Sequence, residues 1–369
     1  MRILQLSSAD TFGGGEKHFV DLCSGLSSRG HDIFAVLRKG SDWEKRLDFL
    51  GKDTLYRLPL RNSIDVLSAV RLSKILRTEK IEILHAHIGR DYTVASLAVR
   101  MSPGTRLILT RHVLFAMKNA HKLALRNVDR VIAVSEATKV QLQKLFPVEK
   151  IAVIPHGFEI HERSEQYTGE LRKEFRFEHN IPYDVPLVAI VGELSSFKGQ
   201  KEFILAAELI GKELPEVRFL CCGKDNSYSG SYRRELKRLV KVLGLEERFI
   251  WLDWVEDMAP VYASIDILVS ASRTESFGLA ISEAMASGRA VVATRSEGAA
   301  ELITDRSNGR LVAIDAPVEI SETVCELLND PKTMKLLGNN ARKFAVEQFG
   351  LERMLDQIES LYGETLSGS

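Results

Sequence analysis

Short apolar strands alternate with helical patterns along almost the whole chain, and no other feature of the sequence limits the fold as strongly. Runs of three to five largely apolar residues at 3–6, 33–37, 83–85, 107–110, 131–134 and 152–154 are separated by amphipathic stretches. A second series follows at 187–191, 218–222, 249–252, 267–269, 290–293 and 311–313. Strands that lack a polar face are buried on both sides, so the expected class is α/β, a parallel sheet covered by helices and built twice. A chain of 369 residues is too long for one ordinary core and suits two such doubly wound domains.

The polar stretch from Gly157 to Asp184 separates the two series. It sets the expected boundaries: a first domain over 1–160, a linker region over 161–184, a second domain over 185–348 and a closing helical segment over 349–369, with 365–369 frayed. Hydrophobic content of 45% with 27% charged residues is that of a globular protein. No apolar run reaches the roughly 18 residues of a membrane helix, and the first residues are too short and strand-like for a secretory signal, so a cytoplasmic protein is expected. The four cysteines and nine histidines show no metal-ligand spacing along the sequence, and reduced, buried thiols follow.

Charge is balanced overall but divided unequally. Residues 1–156 hold 25 Lys and Arg against 15 Asp and Glu, and the remainder holds 25 against 35. A basic first half fits an anionic surface or acceptor. Arg71, Lys74 and Arg77 lie on one predicted helix, and Lys118, Lys122 and Arg126 lie on another at four-residue spacing among Leu114, Phe115, Met117, Leu123 and Leu125. That second pattern fits a helix lying on an anionic membrane, and equally a core-facing helix with a solvated outer face. No nucleic-acid partner is expected.

Ligands of doubly wound sheets collect beyond the carboxyl ends of the strands, so the loops there carry the chemistry. After strand 267–269 comes Glu275-Ser276-Phe277-Gly278-Leu279, leading into a helical run that contains Glu283. A helix starting at Gly278 offers free N–H groups and positive dipole to a phosphate, while the two carboxylates suit hydroxyl donors on other parts of the same ligand. A ligand with phosphates and two sets of hydroxyls is a nucleotide sugar. The plainer alternative has Glu275 capping the helix and Glu283 solvated. Gly13, Gly14, Gly15 and Glu16 follow the first strand, where three glycines permit positive φ and close approach to a phosphate. Gly192, Glu193, Lys198 and Gly199 follow strand 187–191, with Lys198 a compact cation for a diphosphate. Arg111 and His112 follow strand 107–110, His85 and His87 end strand 83–85, and Ser135 is placed to cap a helix.

The acidic segment resembles the signature of the retaining family-four glycosyltransferases, and the likeness runs from Gly13 to the helix around Tyr362. The resemblance implies the GT-B fold, two Rossmann-like domains facing across a cleft, with the last helix crossing back to the first domain. It implies transfer of a sugar from a nucleotide diphosphate sugar to a glycan or lipid-linked acceptor with retention of configuration, as in cell-surface glycan or lipopolysaccharide synthesis. The enzyme would be cytoplasmic or peripheral on the inner membrane face, with no cofactor and no metal. Carried onto this chain, the catalytic set is His112, Lys198 and Glu275. The donor site is Gly14, Gly15, Gly192, Lys198, Glu275, Phe277, Gly278, Leu279 and Glu283, with Arg273 and Gly298 as further candidates. One departure stands out: Glu193 occupies the place where an arginine often accompanies the lysine, so either Glu193 turns away or a cation such as Arg273 substitutes. His156 likewise replaces a more usual asparagine at the domain junction. Competing readings are a sugar-nucleotide epimerase of the same fold, which needs no separate acceptor, and a binding protein without turnover.

Overall fold

The computed structural model describes residues 1–115, 124–160 and 164–368. The chain divides into two compact units, one formed by residues 1–159 with 349–369 and the other by residues 160–348.

Seven parallel strands form the sheet of the first unit: β1 (Arg2–Ser7), β2 (Asp32–Arg38), β3 (Leu55–Leu58), β4 (Ile83–Ala86), β5 (Arg106–Arg111), β6 (Arg130–Ala133) and β7 (Ile151–Val153). Their order is β3-β2-β1-β4-β5-β6-β7. Alternation sends side chains to both faces: Leu4 and Leu6 join Leu72, Leu76 and Val94 in one core, and Ile3 joins Phe19, Leu22 and Leu26 in the other. β3 escapes the sequence reading because it is a short edge strand with only Leu55 and Leu58 buried, too little to register as an apolar run.

The second unit repeats the plan with β8 (Leu187–Val191), β9 (Arg218–Cys222), β10 (Phe249–Leu252), β11 (Ile267–Ser270), β12 (Ala290–Thr294) and β13 (Arg310–Val312), ordered β10-β9-β8-β11-β12-β13. In each sheet the first strand lies between the second and the fourth of its own series. The winding therefore reverses between β1 and β4, and again between β8 and β11.

Two boundary expectations change. The segment expected to link the domains carries the helix Glu165–Glu178, begun by Ser164, whose hydroxyl accepts from Tyr167 N–H at 3.2 Å. Its Arg176 is fully buried and donates to the carbonyls of Ser264, Pro182 and Val185 at 2.8, 2.8 and 2.7 Å, while Arg172 reaches Asp266 at 3.0 Å. A polar sequence here marks a helix held by two arginines, not a loose tether. At the other end the helix Leu351–Ser367 runs nearly to the terminus, and Thr365 is buried with its hydroxyl on Leu361 O at 2.6 Å, so the tail is not frayed at 365–367.

This last helix belongs to the first unit, as the resemblance implies. It packs on the helix Gly14–Ser28, where a Cβ at Gly25 would lie 2.4 Å from Leu355 Cδ1; only glycine allows that approach. Arg29 pairs with Glu352, Asp356 and Glu359 along its outer edge. Among the described residues no helix is long and apolar enough to cross a membrane.

Candidate active site

In the second unit the loops leaving β8 and β11 flank the reversal of strand order, and they bring Lys198 and Glu275 together. Lys198 Nζ donates to Glu275 Oε2 at 2.6 Å, and Ser272 Oγ lies 3.4 Å from the same oxygen. Both side chains are partly exposed. The loops are locked at the backbone. Gly199 has φ of 71° and a Cβ there would sit 2.0 Å from Ala271 O, so the turn bearing Lys198 rests directly on the strand end that carries the Glu275 loop. Arg273 N donates to Phe197 O at 2.8 Å, a second clamp between the same loops.

Gly278, at φ 100°, is the N-cap of the helix Leu279–Ala286 and, as a glycine, supplies no side-chain cap. The Glu275 carboxylate is instead engaged by Lys198 and Ser272, and the first N–H groups of the helix, beginning at Leu279, point out of its start. Phe277 is buried beneath the turn, 5% exposed. One helical turn on, Glu283 accepts from Tyr262 Oη at 3.0 Å. Burial, and then the neighbouring Glu283 carboxylate, push the Tyr262 phenol well above its ordinary value, so it stays a hydrogen-bond donor that fixes one oxygen of Glu283. Gly298 supports the loop from behind. Its N–H donates to Glu275 O at 2.8 Å, and a Cβ would come within 2.8 Å of both Glu275 O and Phe277 O. Gly298 thus shapes the acidic loop at close quarters.

The Glu193 question is answered in part by geometry. Its side chain is exposed and accepts from Asn226 Nδ2 at 3.1 Å, while Gly192 N–H is spent on Cys222 O at 2.9 Å. Arg273 is held by Glu202 at 2.9 Å and Asp315 at 2.7 Å, which makes it a clamp between two carboxylates.

In the first unit the glycine loop differs from expectation. Gly13 is extended and Gly14 and Gly15 already belong to the helix, none of them with positive φ. What bareness supplies is access: a Cβ at Gly15 would touch His112 Cγ at 4.0 Å. His112 stands in a group of imidazoles, its Nδ1 3.3 Å from His156 Nε2 and its Nε2 3.4 Å from His87 Nδ1. His18 packs edge-on against His112 and His156, with ring centroids 5.1 and 4.7 Å apart. His85 is the satisfied core member, bonded to Tyr362 Oη at 2.7 Å and Thr110 Oγ1 at 2.6 Å. Burial, reinforced by neighbouring imidazoles, lowers His18, His87 and His112 well below the usual histidine value; burial alone takes His85 to about 3, and burial with Lys17 takes His156 to about 4. All five are neutral at pH 7. Ser135 caps its helix as expected, accepting from Thr138 N–H at 3.1 Å. The sequence does not disclose this grouping, because its five residues come from one helix and the ends of three strands, β4, β5 and β7, with no regular spacing. Lys118 and Lys122 lie outside the described residues; Arg126 is exposed.

The model of the glycosyl transferases group 1 matches residues 172–344, and that of glycosyltransferase family 4 matches residues 12–162. The chain belongs to the family-four glycosyltransferases. Its relatives include the N-acetyl-alpha-D-glucosaminyl L-malate synthase of Bacillus anthracis, 25% identical over 96% of this chain and 94% of that enzyme. The lipopolysaccharide core biosynthesis glycosyltransferase LpsE of Rhizobium meliloti is 26% identical over 93% and 94% of the two chains. Among solved structures, Anabaena HepE in complex with UDP and glucose superposes with a TM-score of 0.84, at 23% identity over 98% of this chain and 99% of that one. The two Rossmann-like sheets are therefore those of a GT-B glycosyltransferase.

Proposed function

We propose that this glycosyltransferase moves a hexosyl group from a nucleotide diphosphate sugar to a glycan or lipid-linked hydroxyl with retention of configuration. The observation that carries this reading is the Lys198–Glu275 pair beside the helix start at Gly278. The two charges neutralise each other at 2.6 Å. A nucleotide sugar separates them: Lys198 turns to the diphosphate, and Glu275 accepts from hydroxyls of the sugar. As the bond between the anomeric carbon and the diphosphate oxygen breaks, Lys198 and the N–H groups of Leu279 and its neighbours stabilise the negative charge that gathers on the leaving group. The acceptor oxygen then bonds to the same face of that carbon, and its proton passes to the departing diphosphate oxygen on that face. Glu283, fixed by Tyr262, takes the ribose. Neutral His112 serves as hydrogen-bond partner to a sugar hydroxyl. No metal is assigned to the diphosphate, since Lys198 and the helix start already meet its charge.

UDP is the first nucleotide to test, because HepE carries it. A thermal-shift series of nucleotide sugars, followed by turnover of the labelled donor with and without acceptor, tests the assignment. One nucleotide sugar should stabilise the protein beyond its free nucleotide and be consumed only when acceptor is present. Conversion without acceptor would instead indicate epimerisation, and stabilisation without turnover a binding protein.

The acceptor side is assigned to the basic first unit, at an anionic membrane on the cytoplasmic face. The helix Val66–Thr78 favours this, for its outer face presents Leu67 and Val70, 69% and 48% exposed, beside the exposed Arg71 and Lys74. Apolar and basic side chains together on one exposed face suit a lipid surface.

A further inference from the structure

We propose that His18, His87 and His112 form a binding site for one divalent transition-metal ion of the zinc type, held by three imidazole nitrogens. Their ligand atoms all lie within 4.8 Å of one another. The decisive detail is the tautomer of His87. Its Nε2 lies 2.8 Å from Gln5 Oε1, and Gln5 Nε2 in turn donates to Tyr362 Oη at 3.3 Å. A carbonyl oxygen only accepts, so the His87 proton sits on Nε2 and the Nδ1 lone pair faces inward. It faces His112 Nε2 at 3.4 Å. Two ligands of a tetrahedral zinc ion, each about 2.0–2.1 Å from it, are separated by roughly 3.3–3.4 Å. The His87–His112 spacing is already that of a zinc edge.

His18 supplies the independent observation. It is 5% exposed, and among the described residues neither ring nitrogen has a hydrogen-bond partner. Every tautomer of a neutral imidazole carries one donor and one acceptor, so burying both unmatched is costly, and a coordinate bond with a modest ring rotation relieves it. Gln5 completes the plan as the outer partner that holds a metal-ligating imidazole in one orientation. Nitrogen-only ligation without carboxylates disfavours magnesium and calcium and suits zinc, cobalt or nickel. Three histidines leave a fourth position for solvent. The inference does not depend on sugar transfer.

Untagged protein, stripped with chelator and titrated with zinc by calorimetry, should bind one equivalent with submicromolar affinity, and zinc should raise the melting temperature reversibly. Cobalt should give the intense visible bands of tetrahedral nitrogen ligation. His18→Gln and His87→Gln should each weaken zinc by about 100-fold or more, Gln5→Ala by roughly 10–100-fold, and His179→Gln, far along the sequence, not at all. Absence of stoichiometric zinc binding by the unaltered protein overturns the site, whatever the variants do. So does undiminished binding in folded His18→Gln and His87→Gln proteins.

Discussion

Lys198 Nζ and Glu275 Oε2 are 2.6 Å apart although 77 positions separate them in the chain, because the loops that carry them leave the carboxyl ends of neighbouring parallel strands in one sheet. Removing either partner leaves the other without its counter-charge. Lys198→Ala should lower kcat/KM by at least about tenfold, since one charge-assisted contact to the leaving group is worth roughly 1.5–3 kcal/mol. Glu193→Arg should be tolerated or should tighten donor binding, because the native carboxylate is exposed and accepts from Asn226 at 3.1 Å. Steady-state kinetics on the two variants decide this, and wild-type kinetics in Lys198→Ala would remove the β8 loop from the diphosphate.

The two carboxylates should separate in their effects. Glu283→Ala should weaken free nucleotide and nucleotide sugar alike, because the ribose is common to both, whereas Glu275→Ala should lower turnover more than nucleotide affinity. Tyr262→Phe, which removes the hydrogen bond to Glu283 at 3.0 Å and the longer one to Ala280 O at 3.4 Å, should show a smaller version of the Glu283→Ala loss. Calorimetric titration beside kcat measurement provides the comparison; identical losses for both carboxylates in both ligands would refute the division.

Gly199→Ala should cost several kcal/mol of stability in the second unit. The added Cβ collides with Ala271 O, and φ of 71° disfavours any side chain, so the turn must move. Denaturant titration should show a lower midpoint. In protein that still folds, activity should fall further than stability alone explains, because the displaced backbone carries Lys198.

Asp91 gives the first unit a pH dependence of known sign. Its carboxyl is buried and accepts from Ser8 N–H at 2.7 Å, and burial raises it to about 6 against the hydrogen bonds and nearby arginines that lower it. A folded value above the unfolded one, near 3.9, means that the native state holds the extra proton between the two. The contribution is therefore full below about pH 4 and lost as pH rises through about 6, amounting to about 2–3 kcal/mol. Asp91→Asn keeps an acceptor for Ser8 and no longer titrates. Its stability relative to the native protein should rise between pH 4 and pH 7, and a constant difference across that range in matched melts would contradict the assignment.

Liposome sedimentation tests the membrane assignment. Anionic vesicles should retain the protein, neutral ones should not, and salt should weaken retention as the screening length falls from roughly 8 Å at physiological ionic strength to about 3 Å at 1 M. Replacing Leu67, Val70, Arg71 and Lys74 by Ser should abolish it; replacing Lys118, Lys122 and Arg126 measures the share of the second basic segment. Equal recovery on both vesicle types would return these faces to ordinary solvated surface.

The strands were legible because double-sided burial writes itself as unbroken apolar runs, as in Leu187–Val191. β3 and the helix Glu165–Glu178 were not, the one for having a single buried residue at each end, the other because its anchoring interactions come from arginines whose partners are distant carbonyls. Site residues were legible singly, at strand ends, but not as pairs. Nothing in sequence places Lys198 on Glu275, or tells that Gly298 backs the acidic loop, because both depend on strand order. The histidine group shows the same limit, since Gly15, His18, His87 and His112 meet only once β1, β4 and β5 lie side by side.

The return of the helix Leu351–Ser367 to the first unit has a consequence for how the protein is made. Residues 1–159 leave the ribosome with the surface under Gly25, Gln5 and His85 uncovered, and it stays uncovered while the whole of the second unit is synthesised. The second unit is continuous and can fold as it emerges; the first stays open along one face until Leu355, Ile358 and Tyr362 arrive. Order of folding thus runs against order of synthesis, and the half that appears first is finished last.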